Sequence, residues 1–222
     1  MRRFLGLCGG WALVGVGLWV ILGRNTYLGM IWNLFLALVP LVFSWLLIHK
    51  WGKGWLGWVL FAVWLVLIPN AFYMVTDLIH ISQLRFYYFL ERYSDFSKAI
   101  YAENVGAWVE MFYLTSGFLL GLVAGLKSMR DVMGSLGKKV KERKKFLVAV
   151  GGMVLLIGFG MWMGRFLRLN SWDVLMPWRI FIKVFQEFDW FAVWMTVLFA
   201  GYVGGVYGIC WWMGLLKNDR KR

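Results

Sequence analysis

The stretch "GWLGWVLFAVWLVLIPNAFYMV", Gly54 to Val75, carries no charged side chain. A helix needs about 20 apolar residues to cross about 30 Å of hydrocarbon, so this stretch reads as a membrane-spanning helix. The five residues that follow, "TDLIH", Thr76 to His80, bring a threonine, an aspartate and a histidine to its end. The same yardstick finds five further spans: Phe4–Gly23, Thr26–Ile48, Val105–Leu126, Phe146–Leu167 and Trp190–Trp212. Of the 222 residues 61% are hydrophobic and 16% charged, which leaves no stretch for a separate soluble domain. Long helical runs and only three prolines exclude a β-barrel, whose strands alternate in short segments. The expected fold is therefore an all-α membrane protein: one transmembrane domain over residues 1–222, built as a bundle of six spanning helices.

Charge sets the expected orientation. The net charge of +13 is not a nucleic-acid signal, because it is distributed by side. Arg2, Arg3, the residues 49–53, the segment Lys127–Lys145 and the C-terminal tail fall on one face of the membrane and hold sixteen of the 24 Lys and Arg. By the positive-inside rule that face is cytoplasmic, and so are both termini. Arg2 and Arg3 ahead of an apolar run resemble a signal peptide, but the run is too long for one and no small-residue cleavage site follows, so a retained signal-anchor is expected. Cys8 and Cys210 form no Cys-x-x-Cys motif and read as inert packing thiols.

With sides assigned, each polar residue acquires a depth at 1.5 Å per residue. Asp77 and His80 end the third helix on the outer side, and Asn70, after the helix-breaking Pro69, lies about 8 Å below that end. Glu110 sits about 8 Å into the fourth helix and Asn33 about 10 Å into the second. "GRFLRLNSWD", Gly164 to Asp173, leaves the fifth helix on the same side. The polar groups thus gather in the outer half. A buried Glu110 costs a few kcal/mol unless offset, either by Arg165 or Arg168 or by water. Asp77 and His80, three residues apart, share a helix face and could perform acid–base chemistry or form an interfacial ion pair. As metal ligands they would need further carboxylates, so neither a metal nor a cofactor is assigned. Arg165 and Arg168 oppose the positive-inside bias and suit an anion, because guanidinium is a planar fork. Asn170, Ser171 and Asp173 are placed to cap a short helix.

Two amphipathic segments are expected on the outer face. In residues 81–104, Leu90, Tyr93, Phe96 or Ser97, and Ile100 recur at helical spacing, which predicts a helix lying in the interface. A second is predicted over Val174–Phe188. Gly117, Gly121 and Gly125, with Gly160/Gly164 and Gly201/Gly205, repeat every four residues and mark close helix approach.

"NLFLALVPLVFS" in the second helix, "IPNAFYMVTDLIH" in the third and "GRFLRLNSWD" after the fifth occur in this order. Together they resemble a family of bacterial integral membrane proteins known as domain of unknown function thirteen sixty-one. The resemblance extends from the second helix to the sixth. It implies a multi-pass protein of the bacterial inner membrane and brings no activity with it. It also implies that Pro69, Asn70, Thr76, Asp77, Arg165, Arg168, Asn170, Ser171 and Asp173 are the family's signature. Trp108-Val109-Glu110 stands where the family places an acidic residue after an aromatic, with Glu in place of Asp.

Three functions remain open on this reading. An interfacial site could take an anionic lipid or a lipid-linked phosphate. Arg165 and Arg168 would then clamp the anion, Asn70 and Asn170 orient it, Thr76, Glu110, Ser171 and Asp173 line the pocket, and Asp77 with His80 supply any acid–base step. A small transporter would place its site at mid-depth, between repeated halves, and neither feature is visible. A membrane assembly subunit would use the cluster only to lock helices together. The orientation is directly testable: reporter fusions at Lys139 and at the C-terminus should read cytoplasmic and one near Ser94 external, whereas an external Lys139 inverts every depth given above.

Overall fold

A computed structural model of the chain describes residues 1–50, 54–89, 99–169, 173 and 175–216. Six helical segments are long and apolar enough to cross a membrane. They are α1 (Arg2–Leu22), α2 (Thr26–Lys50), the composite third segment Trp55–Gln83, α5 (Val105–Lys139), α6 (Arg143–Phe166) and α8 (Trp190–Trp212). The third segment is not one α-helix. It consists of α3 (Trp55–Leu67), a five-residue α4 (Pro69–Tyr73) and a 3-10 helix (Met74–Gln83). Pro69 has no N–H to continue the ladder; α4 runs for five residues before the chain tightens into the 3-10 helix. The span expected to end at Val75 therefore continues to Gln83.

Two compact units share these elements, residues 1–34 with 74–120 and residues 35–73 with 121–222. In the first, α1 lies on the start of α5. Trp11 stacks on Tyr113 with ring centroids 4.2 Å apart and donates its indole N–H to Ser116 at 2.9 Å. Gly117 makes room for it: a Cβ there would lie 2.4 Å from the Trp11 ring. The segment expected to form an interfacial helix is extended at both flanks instead. Tyr87–Phe89 pairs antiparallel with Ala99–Tyr101 (β1 and β2), Tyr87 opposite Tyr101, while residues 90–98 lie outside the described residues. Aromatic and β-branched side chains favour a pleated pair, and Phe86 anchors its base edge-on against Trp108 at 5.1 Å.

In the second unit α5 runs to Lys139, well past the expected end at Leu126. At 35 residues it is about 52 Å long. Its basic extension stays helical because Met129, Val132, Met133 and Leu136 form a buried i, i+3, i+4, i+7 stripe. Lys127 pairs with Asp131 on the same helix at 3.4 Å. Ser128 joins three elements: it accepts from the Trp64 indole at 2.8 Å and donates to the Pro40 carbonyl at 3.0 Å. Pro69 packs into a notch on α6, where a Cβ on Gly160 would stand 2.5 Å from its ring. One turn on, Gly164 faces Tyr73, its notional Cβ at 3.4 Å. Gly158 brings α6 against the α8 backbone, its notional Cβ 2.4 Å from the Thr196 carbonyl oxygen and 2.7 Å from the Ala200 nitrogen. Gly201 and Gly205, by contrast, face open space, so their spacing does not mark a contact among the described residues.

The short helix expected over Val174–Phe188 is α7 (Pro177–Glu187), opened by its proline. Trp178, Phe181, Ile182 and Phe185 form an exposed apolar stripe. Val184 turns the other way, onto the core of Trp162, Leu167 and Ala192. This is the pattern of a helix lying in the membrane interface.

The glycine contacts predict a graded response. Overpacking costs about 1–3 kcal/mol. Gly158→Ala, which meets rigid backbone, should lower the melting temperature of the purified protein most. Gly160→Ala should follow and Gly201→Ala should be close to neutral; equal melting temperatures for all three would contradict these contacts.

Candidate functional site

The polar residues singled out in the sequence divide between the units. Thr76, Asp77, His80 and Glu110 belong to the first, and Asn70, Arg165, Arg168 and Asp173 to the second. Asn170 and Ser171 lie outside the described residues.

In the first unit the two carboxylates are buried and each is held by a nitrogen donor. Glu110 forms an ion pair with Arg24, whose side chain is half exposed. Depth points to Arg165 or Arg168, which belong to the other unit; within its own unit Glu110 pairs with Arg24, at the end of the first span. Asp77 is 4% exposed and accepts from the Asn33 amide at 2.6 Å. In a 3-10 helix side chains three apart eclipse, so Asp77 and His80 do share a face, with His80 half-buried. Close by, Tyr27 lies within the electrostatic reach of both Arg24 and Glu110, and its ring meets Tyr113 edge-on at 5.1 Å. The hydroxyls of Tyr27 and Tyr113 are buried, and among the described residues neither finds a hydrogen-bond partner. Burying a carboxylate requires such pairing. These contacts fasten α1, α2, α5 and the 3-10 helix to one another.

The second unit contains a cavity of about 240 Å³ between the broken third segment, α6 and α7. Leu156, Phe159, Gly160, Met163 and Gly164 present one face of α6 to it. Leu65, Val66, Pro69, Asn70 and Tyr73 face them, with Leu169 and Ile180 at the α7 side. Two glycines, Gly160 and Gly164, flatten α6 where Pro69 and Tyr73 pack on it, and both pairs border this space. The lining is far less polar than the sequence suggested, with Asn70 and Tyr73 its polar side chains.

The end of α6 adjoins this cavity. Arg165 is half-buried and Arg168 exposed. Arg168 has φ 53°, in the left-handed region. Leu169 donates its N–H back to the Met163 carbonyl at 3.3 Å, across that left-handed residue, the geometry in which helices usually place glycine. An arginine there costs about 1–2 kcal/mol of backbone strain. Lys183, from α7, donates to the Leu167 carbonyl at 3.1 Å. It satisfies an orphaned helix-end oxygen and is favoured by the helix dipole. Lys183 was not among the expected residues, although its place on the polar side of an amphipathic helix was a usable signal. The backbone carbonyl of Asp173 accepts from the Met176 N–H at 2.8 Å, in the turn into α7.

A family model matches residues 32–205, from the second span to the last, with the description "Protein of unknown function (DUF1361)". The chain belongs to the DUF1361 family. No curated protein and no solved structure matches it. Family membership therefore specifies no reaction, and the chemistry must be argued from the two units themselves. The DUF1361 match takes in Asn70, Asp77, Glu110, Arg165 and Arg168 but not Arg24.

Proposed function

We propose that this DUF1361 protein binds an anionic, phosphate-bearing lipid, with the headgroup on Arg165 and Arg168 and a hydrocarbon chain in the adjoining cavity. The observation that carries this reading is the strained Arg168 at the end of α6, next in sequence to Leu169, which lines the apolar cavity. A helix end that glycine would form at lower cost instead carries a guanidinium, and backbone strain of this kind is characteristic of functional positions. Arginine offers phosphate a bidentate fork. The cavity walls suit methylene groups. The exposed stripe on α7 would lie among acyl chains, holding the site at headgroup level. With the orientation expected from charge, the site opens to the outer leaflet of a bacterial inner membrane.

Asp77 and Glu110 support a different role. Their amide and guanidinium partners fit a lock between helices, so on this reading Asp77 and His80 carry no acid–base step. A purely structural protein, an assembly subunit, would extend that role to the arginines as well. A transporter would draw support from the broken third segment, a feature of such folds.

The arginines separate these readings. Arg165→Ala should lower phospholipid retention, measured by native mass spectrometry of gently extracted protein, about tenfold or more, the worth of a charge-assisted hydrogen bond. Its melting temperature should change little. Arg165→Lys should restore binding in part. Arg168→Gly should weaken retention while stabilising the fold by roughly 1 kcal/mol, through relief of the left-handed strain. Retention unchanged, with melting temperatures lowered in both arginine variants, would contradict lipid binding and favour the structural lock.

A further inference from the structure

We infer that the lipid bound here is an ester-linked glycerophospholipid rather than a phosphate joined directly to a hydrocarbon chain; this rests on the anionic-lipid reading above. The reason is the position of Asn70. It lines a cavity whose other walls are apolar apart from Tyr73. Two contacts set the register of the facing helices. Pro69 meets Gly160, and four residues on Tyr73 meets Gly164, so the two segments run parallel and in step. Asn70 is thus level with Met161, about 6 Å deeper along the axis than Arg165.

A glycerophospholipid has an acceptor at that depth. Below its phosphate lies the glycerol, and then the ester carbonyls. With phosphate on the arginines, a carbonyl reaches the level of Asn70, where the amide N–H can donate to it. The amide has two N–H groups and a carbonyl oxygen, so it can serve the ligand while keeping a bond within the protein. A polyprenyl phosphate carries only hydrocarbon at this level. Bound in the same pose, it would set methylene groups against the amide and offer it no hydrogen bond, a mismatch that recognition sites use to reject analogues.

The test is competition in nanodiscs. A dioleoyl phosphatidate, its ether-linked analogue and a polyprenyl phosphate are offered to the full-length protein, and the retained lipid is read by native mass spectrometry. The ether analogue keeps phosphate, glycerol and chains but lacks the carbonyls. The wild-type protein should prefer ester over ether about three- to tenfold, the worth of one neutral hydrogen bond, and should retain the polyprenyl phosphate least. Asn70→Leu should erase the ester preference, and Asn70→Ser, which keeps an O–H donor, should preserve part of it. Arg165→Ala should weaken all three lipids and leave the ester-to-ether ratio unchanged. Equal retention of ester and ether by the wild type, still dependent on Arg165, would overturn this inference and leave the anionic-lipid reading standing. Failure to retain any of the three would overturn both.

Discussion

The seat of Pro69 in the Gly160 notch organises the second unit. A proline in a membrane helix frees a carbonyl and bends the chain, and lipid offers nothing to satisfy what is freed. The bend is tolerated only where protein closes over it. Here α6 supplies a surface without side chains, so close that a single methyl on Gly160 would overlap the ring. That contact fixes the register of α4 against α6, carries Tyr73 onto Gly164 and leaves the space lined by Asn70 and Met163. Pro69 and Gly160 thus meet each other and both line the cavity.

The first unit meets the same solvent problem differently. It holds two carboxylates away from water, and each would be costly alone. Arg24 reaches Glu110 from a half-exposed position, so the pair keeps one partner hydrated while the other is buried. Asn33 serves Asp77 with an amide N–H. The stack of Trp11 on Tyr113 and the glycine beneath Trp11 set the spacing of α1 and α5 at which these bonds form. Polar groups here stabilise helix contacts, whereas in the second unit Asn70 and Tyr73 line a cavity.

The spans were legible because their signal, length and the lack of charge, does not depend on neighbours. The break at Pro69 was legible for the same reason, being a property of proline itself; its continuation as a 3-10 helix was not, since that follows from packing. The β1–β2 pair was not legible because the helical spacing rests on Leu90, Tyr93, Phe96 or Ser97, and Ile100, of which only Ile100 lies in a strand and the others fall outside the described residues. The α5 extension was not legible because its lysines resemble a loop, although Met129, Val132, Met133 and Leu136 carry a helical stripe through it. In the site, Arg165 and Arg168 stood out as charges against the topological bias. The partner of Glu110 could not be read: depth places Arg24, Arg165 and Arg168 on one face of the membrane, and which helix adjoins which is tertiary information. Lys183 and the strain at Arg168 likewise exist only once α6 has ended and α7 has turned back upon it.

The central claim, that a lipid chain occupies the cavity between the broken third segment and α6, is tested most directly by photolabelling in a bilayer. A phosphatidate with a diazirine on its acyl chain would be incorporated into nanodiscs, activated, and the labelled residues located by peptide mass spectrometry. The account predicts labels concentrated on Leu156, Phe159 and Met163, with a matching site at Leu65 or Val66, and their loss in Arg165→Ala. Labelling of those residues no stronger than that of Leu13 and Val20, which α1 exposes, would contradict it.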